Sequence, residues 1–195
     1  MIILSHRGYW KTESEMNRPI AFERSFKLGF GTETDLRDFN GELVVSHDIA
    51  DETAISAREF FEIYCRYDKS LPLALNIKAD GLQNVMKSLL AEFGIENYFV
   101  FDMSVPDAFQ YIKHEFKVFT RKSEFETNPS FLEESEGIWL DEFKSHGITN
   151  DEIVNFLSYG KKVCIVSPDL HKRDYKKAWE DYKNFRDNSQ SLMIC

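Results

Sequence analysis

The first quarter of this chain contains five side chains whose types and spacing could do acid–base and anion chemistry. They are His6, Arg7, Glu33, Asp35 and His47, and each follows a short apolar segment. Residues i and i+2 of a strand point to the same side, so Glu33 and Asp35 share a face. Histidines carry protons near neutral pH, paired carboxylates hold hard metal ions, and an arginine clamps an anion. These are the groups needed to break a phosphodiester.

A second polar group stands at the end of the apolar segment Leu73–Lys78. Asn76 and Lys78 share one face, with the small Ala74 behind them. A lysine held in the mouth of a parallel barrel is costly unless an anion neutralises it, so Lys78 is expected to contact substrate. The alternative is a solvated lysine at a strand end.

Later strand ends supply weaker candidates. Arg121 and His171 are predicted to contact substrate, although a loop histidine such as His171 is often simply solvated. Asp102 and Asp141 could serve as structural partners of Arg121 or Lys78.

The composition narrows the class of protein. At 195 residues and 43% hydrophobic residues, a single domain spanning residues 1–195 is expected. The net charge of −9 argues against nucleic acid as a partner, since phosphate backbones require a basic surface. Three cysteines without close spacing fit a reducing compartment, and no run could span a membrane or form a signal-peptide core. A cytoplasmic location without integral membrane association is therefore expected.

Apolar segments of strand length alternate with helical patterns along the chain. The predicted strands are Ile2–Ser5, Gly31–Asp35, Leu73–Lys78, Tyr98–Asp102, Lys117–Arg121, Gly137–Asp141, Lys162–Ser167 and Ser191–Cys195. The predicted helices are Pro19–Leu28, Ser56–Arg66, Gly81–Phe93, Pro106–His114, Asn150–Tyr159 and Asp174–Phe185, with a weaker one at Asn128–Ser135. This alternation predicts an α/β fold, a (β/α)₈ TIM-type barrel. A flat doubly wound sheet is the alternative.

The segment after Asp35 departs from the alternation, because it is too short for a helical crossover. Residues 38–42 predict a hairpin, with Gly41 at a positive φ. A turn with a glycine bulge would place His47 opposite Glu33, whereas a tight Asn40-Gly41 turn would place it opposite Thr34. Either register returns His47 to the level of the carboxylates. The catalytic groups of such barrels gather at the carboxyl ends of the strands.

The N-terminal third resembles the glycerophosphodiester phosphodiesterases, which belong to the barrel phosphodiesterases that include phosphatidylinositol phospholipase C. The matching motifs are His6-Arg7-Gly8, Ala21-Phe22, Glu33-Thr34-Asp35, the Gly41 turn, His47-Asp48 and Asn76-Ile77-Lys78. The resemblance implies a phosphodiesterase of TIM-barrel fold. Its substrate would be a small-molecule phosphodiester, such as a glycerophosphodiester or a glycan-linked glycerol phosphate.

The same resemblance implies roles for the residues that match. His6 and His47 would be the acid–base pair, and Arg7 and Lys78 would contact the phosphate. Glu33 and Asp35 would bind a divalent cation, Mg²⁺ or Ca²⁺.

Two positions depart from the family pattern. Met16-Asn17-Arg18 aligns with the family's Glu-Asn-Thr, so a glutamate is missing unless Glu15 reaches in. Asn76 replaces the glutamate of the family's Glu-Ile-Lys, and its carbonyl could still serve as a neutral third ligand. Two alternatives therefore stay open: a metal-independent enzyme of the same fold, and a phosphoester-binding protein without catalysis.

Overall fold

The structure, a computed structural model, describes residues 1–144, 147–184 and 191–195. In these ranges the strands are β1 (Ile2–His6), β2 (Gly31–Phe39), β3 (Glu42–Val45), β4 (Ile55–Ser56), β5 (Leu73–Ile77), β6 (Tyr98–Phe101), β7 (Phe119–Lys122), β8 (Gly137–Leu140), β9 (Lys162–Ile165) and β10 (Leu192–Ile194). All eight predicted strands are present, and β3 and β4 belong to the hairpin excursion. The α/β fold class is confirmed.

Six α-helices lie between these strands in the described part of the chain. They are α1 (Pro19–Lys27), α2 (Ala57–Tyr64), α3 (Gln83–Phe93), α4 (Val105–Lys113), α5 (Asn150–Ser158) and α6 (Lys176–Asn184). The predicted helix ending at Phe185 corresponds to α6, and Phe185 itself lies outside the described residues. None of these helices is long and apolar enough to cross a bilayer.

The weaker helix predicted at Asn128–Ser135 is wrong. Residues 130–134 form turns, in which Phe131 adopts a left-handed φ of +55° and accepts a hydrogen bond from the backbone N–H of Ser135. A left-handed residue cannot continue a right-handed helix, so the pattern stops at single turns.

Two compact units make up the chain. The N-terminal unit, Leu4–Val118, is organised around β2, which pairs in parallel with β1 and β5 and in antiparallel fashion with β3; β5 pairs in parallel with β6. The C-terminal unit comprises Met1–Ile3 and Phe119–Cys195. Within it β7, β8, β9 and β10 are parallel, and β10 also pairs with Ile2 and Ile3. The assignment of residues 1–195 to a single domain stays a prediction.

The hairpin after β2 has the tighter of the two predicted registers. Phe39 pairs with Glu42 across Asn40 and Gly41, whose φ angles are +51° and +82°. Two successive left-handed residues are the requirement of a type I′ turn, which Asn-Gly satisfies at low cost. The bulge register, which would place His47 opposite Glu33, is wrong.

The core of the N-terminal unit explains how the strands are held. Helix α1 buries Ala21, Phe22 and Phe26 on one face, at the spacing of an amphipathic helix. The Phe22 ring meets the Phe60 ring of α2 edge-on at 4.6 Å. Each fully buried aromatic side chain contributes about 2–3 kcal/mol relative to exposure. The packing fixes both helices against the strands that carry the polar residues.

The three cysteines, Cys65, Cys164 and Cys195, are free thiols. Cys164 and Cys195 are buried, as small apolar side chains commonly are.

Candidate active site

Side chains from three neighbouring strands converge at one end of the N-terminal unit. They are His6 and Arg7 from the end of β1, Glu33 and Asp35 from β2, and Asn76 and Lys78 from the end of β5. The strand register brings His6 level with Glu33, and Asp35 level with Asn76. Glu33 and Asp35 each expose only 1% of their surface. The structure thus brings six of the predicted site residues together.

Arg7 is fixed by its backbone as well as by its side chain. It adopts a left-handed φ of +56°, and its N–H donates to Glu33 O at 3.0 Å and Glu33 Oε2 at 3.1 Å. Its Nε lies 3.1 Å from Asp35 Oδ2. The following Gly8 has a φ of +80°, and a Cβ there would meet Ala21 at 2.8 Å. Glycine is therefore needed for the chain to turn from β1 towards α1 beside the carboxylates.

His6 is a half-buried imidazole whose environment favours the neutral form. Its Nε2 lies 3.8 Å from Glu33 Oε2. Burial, followed by the positive charge of Arg7, lowers the pKa of His6 to about 4. The indole N–H of Trp10 donates to the backbone carbonyl of His6 at 3.0 Å, which ties the next loop to the end of β1. A neutral imidazole can accept a proton at pH 7.

His47 lies in the loop after β3, with a side chain that is 43% exposed. Its Nδ1 is 2.8 Å from Asp48 Oδ1, which orients the ring. The charge of His47 is a minor contribution to the lowered pKa of His6, after burial and Arg7. The backbone N–H of Ser46 donates to Asp35 O at 3.1 Å, so the hairpin returns the residue before His47 to the level of Asp35 and leaves His47 itself in a loop.

The oxygens of Glu33, Asp35 and Asn76 form the donor set for the predicted cation. Asp35 Oδ1 and Asn76 Oδ1 are buried and receive no hydrogen bond. Burial, and then the Asp35 charge, raise the pKa of Glu33 above its usual range. Hard oxygen donors of this kind fit Mg²⁺ or Ca²⁺.

This donor set is small. Among the described residues no group of three or more His, Cys, Asp or Glu side chains is placed to hold a metal ion. The third donor is the neutral amide of Asn76, whose Nδ2 lies 3.4 Å from Glu33 Oε1. We therefore expect weaker cation binding than at a site of three carboxylates.

Asn17 is a site residue that the sequence did not single out for a role. It is buried, with a left-handed φ of +55°, and its backbone N–H donates to Arg7 O at 3.0 Å. Its Nδ2 donates to Asp35 Oδ2 at 2.8 Å, and its Oδ1 accepts from Thr34 Oγ1 at 2.9 Å. Asn17 thus fixes the loop after β1 to β2. The sequence signal for Asn17 is its position in Met16-Asn17-Arg18, the segment that aligns with the family's Glu-Asn-Thr.

The two residues before Asn17 show what stands at the position of the family's glutamate. Met16 Sδ lies 3.9 Å from Arg7 Nη1, so a thioether contacts the guanidinium. Glu15 accepts from Arg24 and from the backbone N–H of Lys11. Its carboxylate is thus engaged with α1 and does not substitute for the missing ligand.

We expect Asn17→Ala to lower the free energy of unfolding by about 3 kcal/mol, because Asp35 and Thr34 lose buried partners and alanine is strained at positive φ. Asn17→Gly removes the same amide without that strain, so its loss is expected to be about 1 kcal/mol smaller. Urea denaturation measures both. The control is Asn40→Ala, at an exposed left-handed position, which should lose only about 1 kcal/mol. Equal losses for Asn17→Ala and Asn40→Ala would contradict a bridging role.

Lys78 completes the cluster from the end of β5. Its Nζ lies 3.5 Å from Asp35 Oδ1 and 3.5 Å from Asp102 Oδ2. Lys78, one of the partners considered for Asp102, is therefore present beside it.

Arg121 and His171 belong to the C-terminal unit. Arg121 pairs with Glu126, and His171 Nε2 lies 2.6 Å from Asp141 Oδ1 with its ring against Phe143. Asp141 thus partners His171. The predicted contacts of Arg121 and His171 with substrate stay predictions.

The fold matches solved structures over its whole length. A Galdieria sulphuraria protein assigned to the glycerophosphodiester phosphodiesterases aligns over 100% of this chain and 92% of its own, with a TM-score of 0.77 and 18% identity. The enzymes of Thermotoga maritima and Agrobacterium tumefaciens align over 100% of this chain and 93% and 95% of theirs, with TM-scores of 0.71 and 0.70 and 16% identity each. No protein-family model and no curated protein sequence matches the chain. The likeness shows the fold, which is the TIM-type (β/α)₈ barrel that the sequence predicts.

Proposed function

We propose that this protein is a phosphodiester hydrolase acting on a small glycerophosphodiester or a glycan-linked glycerol phosphate. The observation that carries the proposal is the cluster of His6, Arg7, Glu33, Asp35 and Lys78 at the ends of neighbouring strands. This cluster occurs in a fold shared with glycerophosphodiester phosphodiesterases. Catalytic groups of TIM barrels lie at the carboxyl ends of the strands.

The two histidines divide the proton transfers between them. His6, held neutral by burial, takes the proton of the attacking hydroxyl, which belongs to the glycerol of the substrate or to water. His47 protonates the leaving oxygen from Nε2, while Asp48 fixes the ring through Nδ1. Positioned proton transfer contributes about 10²–10⁴-fold for each group.

Cationic groups stabilise the charge that develops on the phosphate. The Arg7 guanidinium and the Lys78 ammonium would hold the nonbridging oxygens. Glu33, Asp35 and Asn76 would hold a divalent cation, Mg²⁺ or Ca²⁺. When bound, the cation would act as a Lewis acid towards those oxygens.

The net charge bears on the kind of substrate, and the free thiols bear on the cellular location. A net charge of −9 repels polyanions at long range, so a single phosphodiester is favoured over nucleic acid. Three free thiols are compatible with a cytoplasmic location.

We expect the purified protein to hydrolyse small glycerophosphodiesters in preference to inositol phosphodiesters, nucleotides and oligonucleotides, because the net charge is −9 and, among the described residues, the candidate site brings only two cationic side chains, Arg7 and Lys78, to its carboxylates. Phosphate-release and product assays across this panel, with Mg²⁺, Ca²⁺ or a chelator, measure the preference. Preferential cleavage of an oligonucleotide would contradict the substrate class.

The same panel separates the alternatives. Full turnover after exhaustive chelation would favour the metal-independent enzyme, which the neutral amide of Asn76 makes chemically reasonable. Binding without cleavage of every panel member, with or without metal, would favour a phosphoester-binding protein.

A further inference from the structure

The ammonium of Lys78 lies between two carboxylates that differ in their surroundings. Its Nζ is 3.5 Å from Asp35 Oδ1 and 3.5 Å from Asp102 Oδ2, yet only the contact with Asp102 has hydrogen-bond geometry. Asp35 Oδ1 is consequently buried without a hydrogen-bond donor. The ammonium neutralises this oxygen by proximity and leaves its lone pairs open.

The other oxygen of Asp35 has one hydrogen bond and one close cation. Oδ2 accepts from Asn17 Nδ2 at 2.8 Å and lies 3.1 Å from Arg7 Nε. Because these contacts fix the carboxylate, Oδ1 is the oxygen available to a cation. The Lys78 ammonium lies beside that same oxygen.

Asp102 provides a second place for the ammonium. It directly follows β6, the strand paired with β5, and adopts a left-handed φ of +69°. Aspartate tolerates this conformation better than most residues, and the conformation re-aims the chain at the strand end where Lys78 lies. Asp102 is one-fifth exposed, whereas Asp35 is almost completely buried. The ammonium can therefore move to Asp102 without losing an anionic partner.

We propose that Lys78 is a tethered competitor of the divalent cation, which lies beside Asp35 Oδ1 in the free protein and shifts onto Asp102 when the cation binds. A divalent cation and an ammonium cannot both stay near one buried carboxylate oxygen, because their repulsion is strong in a poorly solvated site. This inference rests on the cation site of the proposed function and concerns the residue that regulates it.

The shift of Lys78 would couple cation binding to anion binding. An ammonium released from Asp35 is free to contact a phosphate oxygen. By linkage, an anion that holds Lys78 away from Asp35 would tighten cation binding by the same factor. Asp102 acts as a positioning residue in this scheme, since its effect on the cation is transmitted by Lys78.

Isothermal titration calorimetry with Ca²⁺ or Mg²⁺ alone tests the competition without any activity measurement. We expect Lys78→Met to tighten cation binding at least tenfold, and Lys78→Gln, a second neutral variant, to do the same. Lys27→Met removes one positive charge from an exposed position of α1 and should change the Kd less than twofold. Thermal denaturation verifies that each variant is folded.

Asp102 is tested by a double-mutant cycle. Asparagine tolerates a positive φ, so Asp102→Asn keeps the backbone of this position. In a chain that retains Lys78, this change should weaken cation binding about fivefold, because Lys78 then pairs more tightly with Asp35. In the Lys78→Met background the same change should have less than a twofold effect. Equal effects in both backgrounds would show a general loss of negative charge and would contradict the positioning role.

Anion coupling supplies an independent readout. Glycerol 3-phosphate should bind at least fivefold more tightly with saturating Ca²⁺ than with chelator in the wild type, and this ratio should fall in Lys78→Met.

The outcomes separate the inference from the proposed function. Cation binding by the wild type with an unchanged Kd in both Lys78 variants would overturn the competition and leave the cation site intact. Cation binding detected only in the Lys78 variants would support the competition. No binding by any variant would overturn both the cation site and the competition, and the panel assay would still decide hydrolysis.

Discussion

His6→Ala and His47→Ala are each expected to reduce kcat for a glycerophosphodiester by at least about 10²-fold, the effect of losing one positioned proton carrier. His6 Nε2 lies 3.8 Å from Glu33 Oε2, where burial and Arg7 favour the neutral imidazole, and His47 Nδ1 lies 2.8 Å from Asp48 Oδ1. Because the two imidazoles act as one catalytic unit, the double variant should lose little beyond the larger single loss. Steady-state kinetics with the best substrate of the panel measures these effects.

The matched control for both variants is His114→Ala. His114 directly follows α4, and its Nδ1 lies 2.8 Å from the carbonyl of Gln110 in that helix. We expect its kcat to stay within about twofold of the wild type. A near-wild-type kcat for His6→Ala or His47→Ala, in protein that melts normally, would remove that histidine from the mechanism.

The fold could be predicted because its strands are short apolar runs between helical patterns. In β5 every residue is buried, and the strand is visible in the sequence as an apolar segment that only Asn76 interrupts. The false helix at Asn128–Ser135 had the right composition, but the left-handed Phe131 interrupts it. Local pattern does not specify the sign of φ at a phenylalanine, so this error could not be corrected from the sequence.

The register of the hairpin is a second property that the sequence leaves open. Asn40-Gly41 predicts a turn, but the choice between a tight turn and a bulge shifts the register by one residue. That shift decides the strand position opposite His47, and the structure has the tight turn. Ser46 still bonds to Asp35 of β2, and His47 lies in the loop that follows. Loop trajectories of this kind depend on tertiary contacts.

Within the site, the residues at strand ends were predictable and those that position them were not. The period-2 spacing of Glu33 and Asp35 indicates a shared face directly. Asn17 reaches Asp35 from a loop 18 residues earlier, and its side-chain geometry depends on a left-handed backbone. Asp102 was open between two partners, because pairing with Lys78 depends on which strands are neighbours.

Asn76→Glu is expected to tighten divalent-cation binding at least tenfold, because it adds a negative ligand beside Glu33 and Asp35. The strand register pairs Asn76 with Asp35, and its unpartnered Oδ1 is buried with the carboxylates. Affinity at hard-cation sites depends on the number of charged oxygen ligands. Calorimetry with Ca²⁺ and Mg²⁺ measures the change, and Asn76→Gln, which has the length of glutamate without its charge, should not tighten binding.

The same substitution should make stability depend on the cation. With a chelator present, a third carboxylate beside a Glu33 whose pKa is already raised adds repulsion in a buried site, so Asn76→Glu should melt below the wild type. A saturating cation binds only the folded state and should reverse this loss, by about 2.7 kcal/mol when its concentration is a hundred times the Kd. An unchanged Kd, together with a melting temperature that ignores the cation, would place Asn76 outside the ligand set. Tightening by glutamate and not by glutamine would instead mean that the amide at residue 76 is what keeps the cation site of this barrel weak.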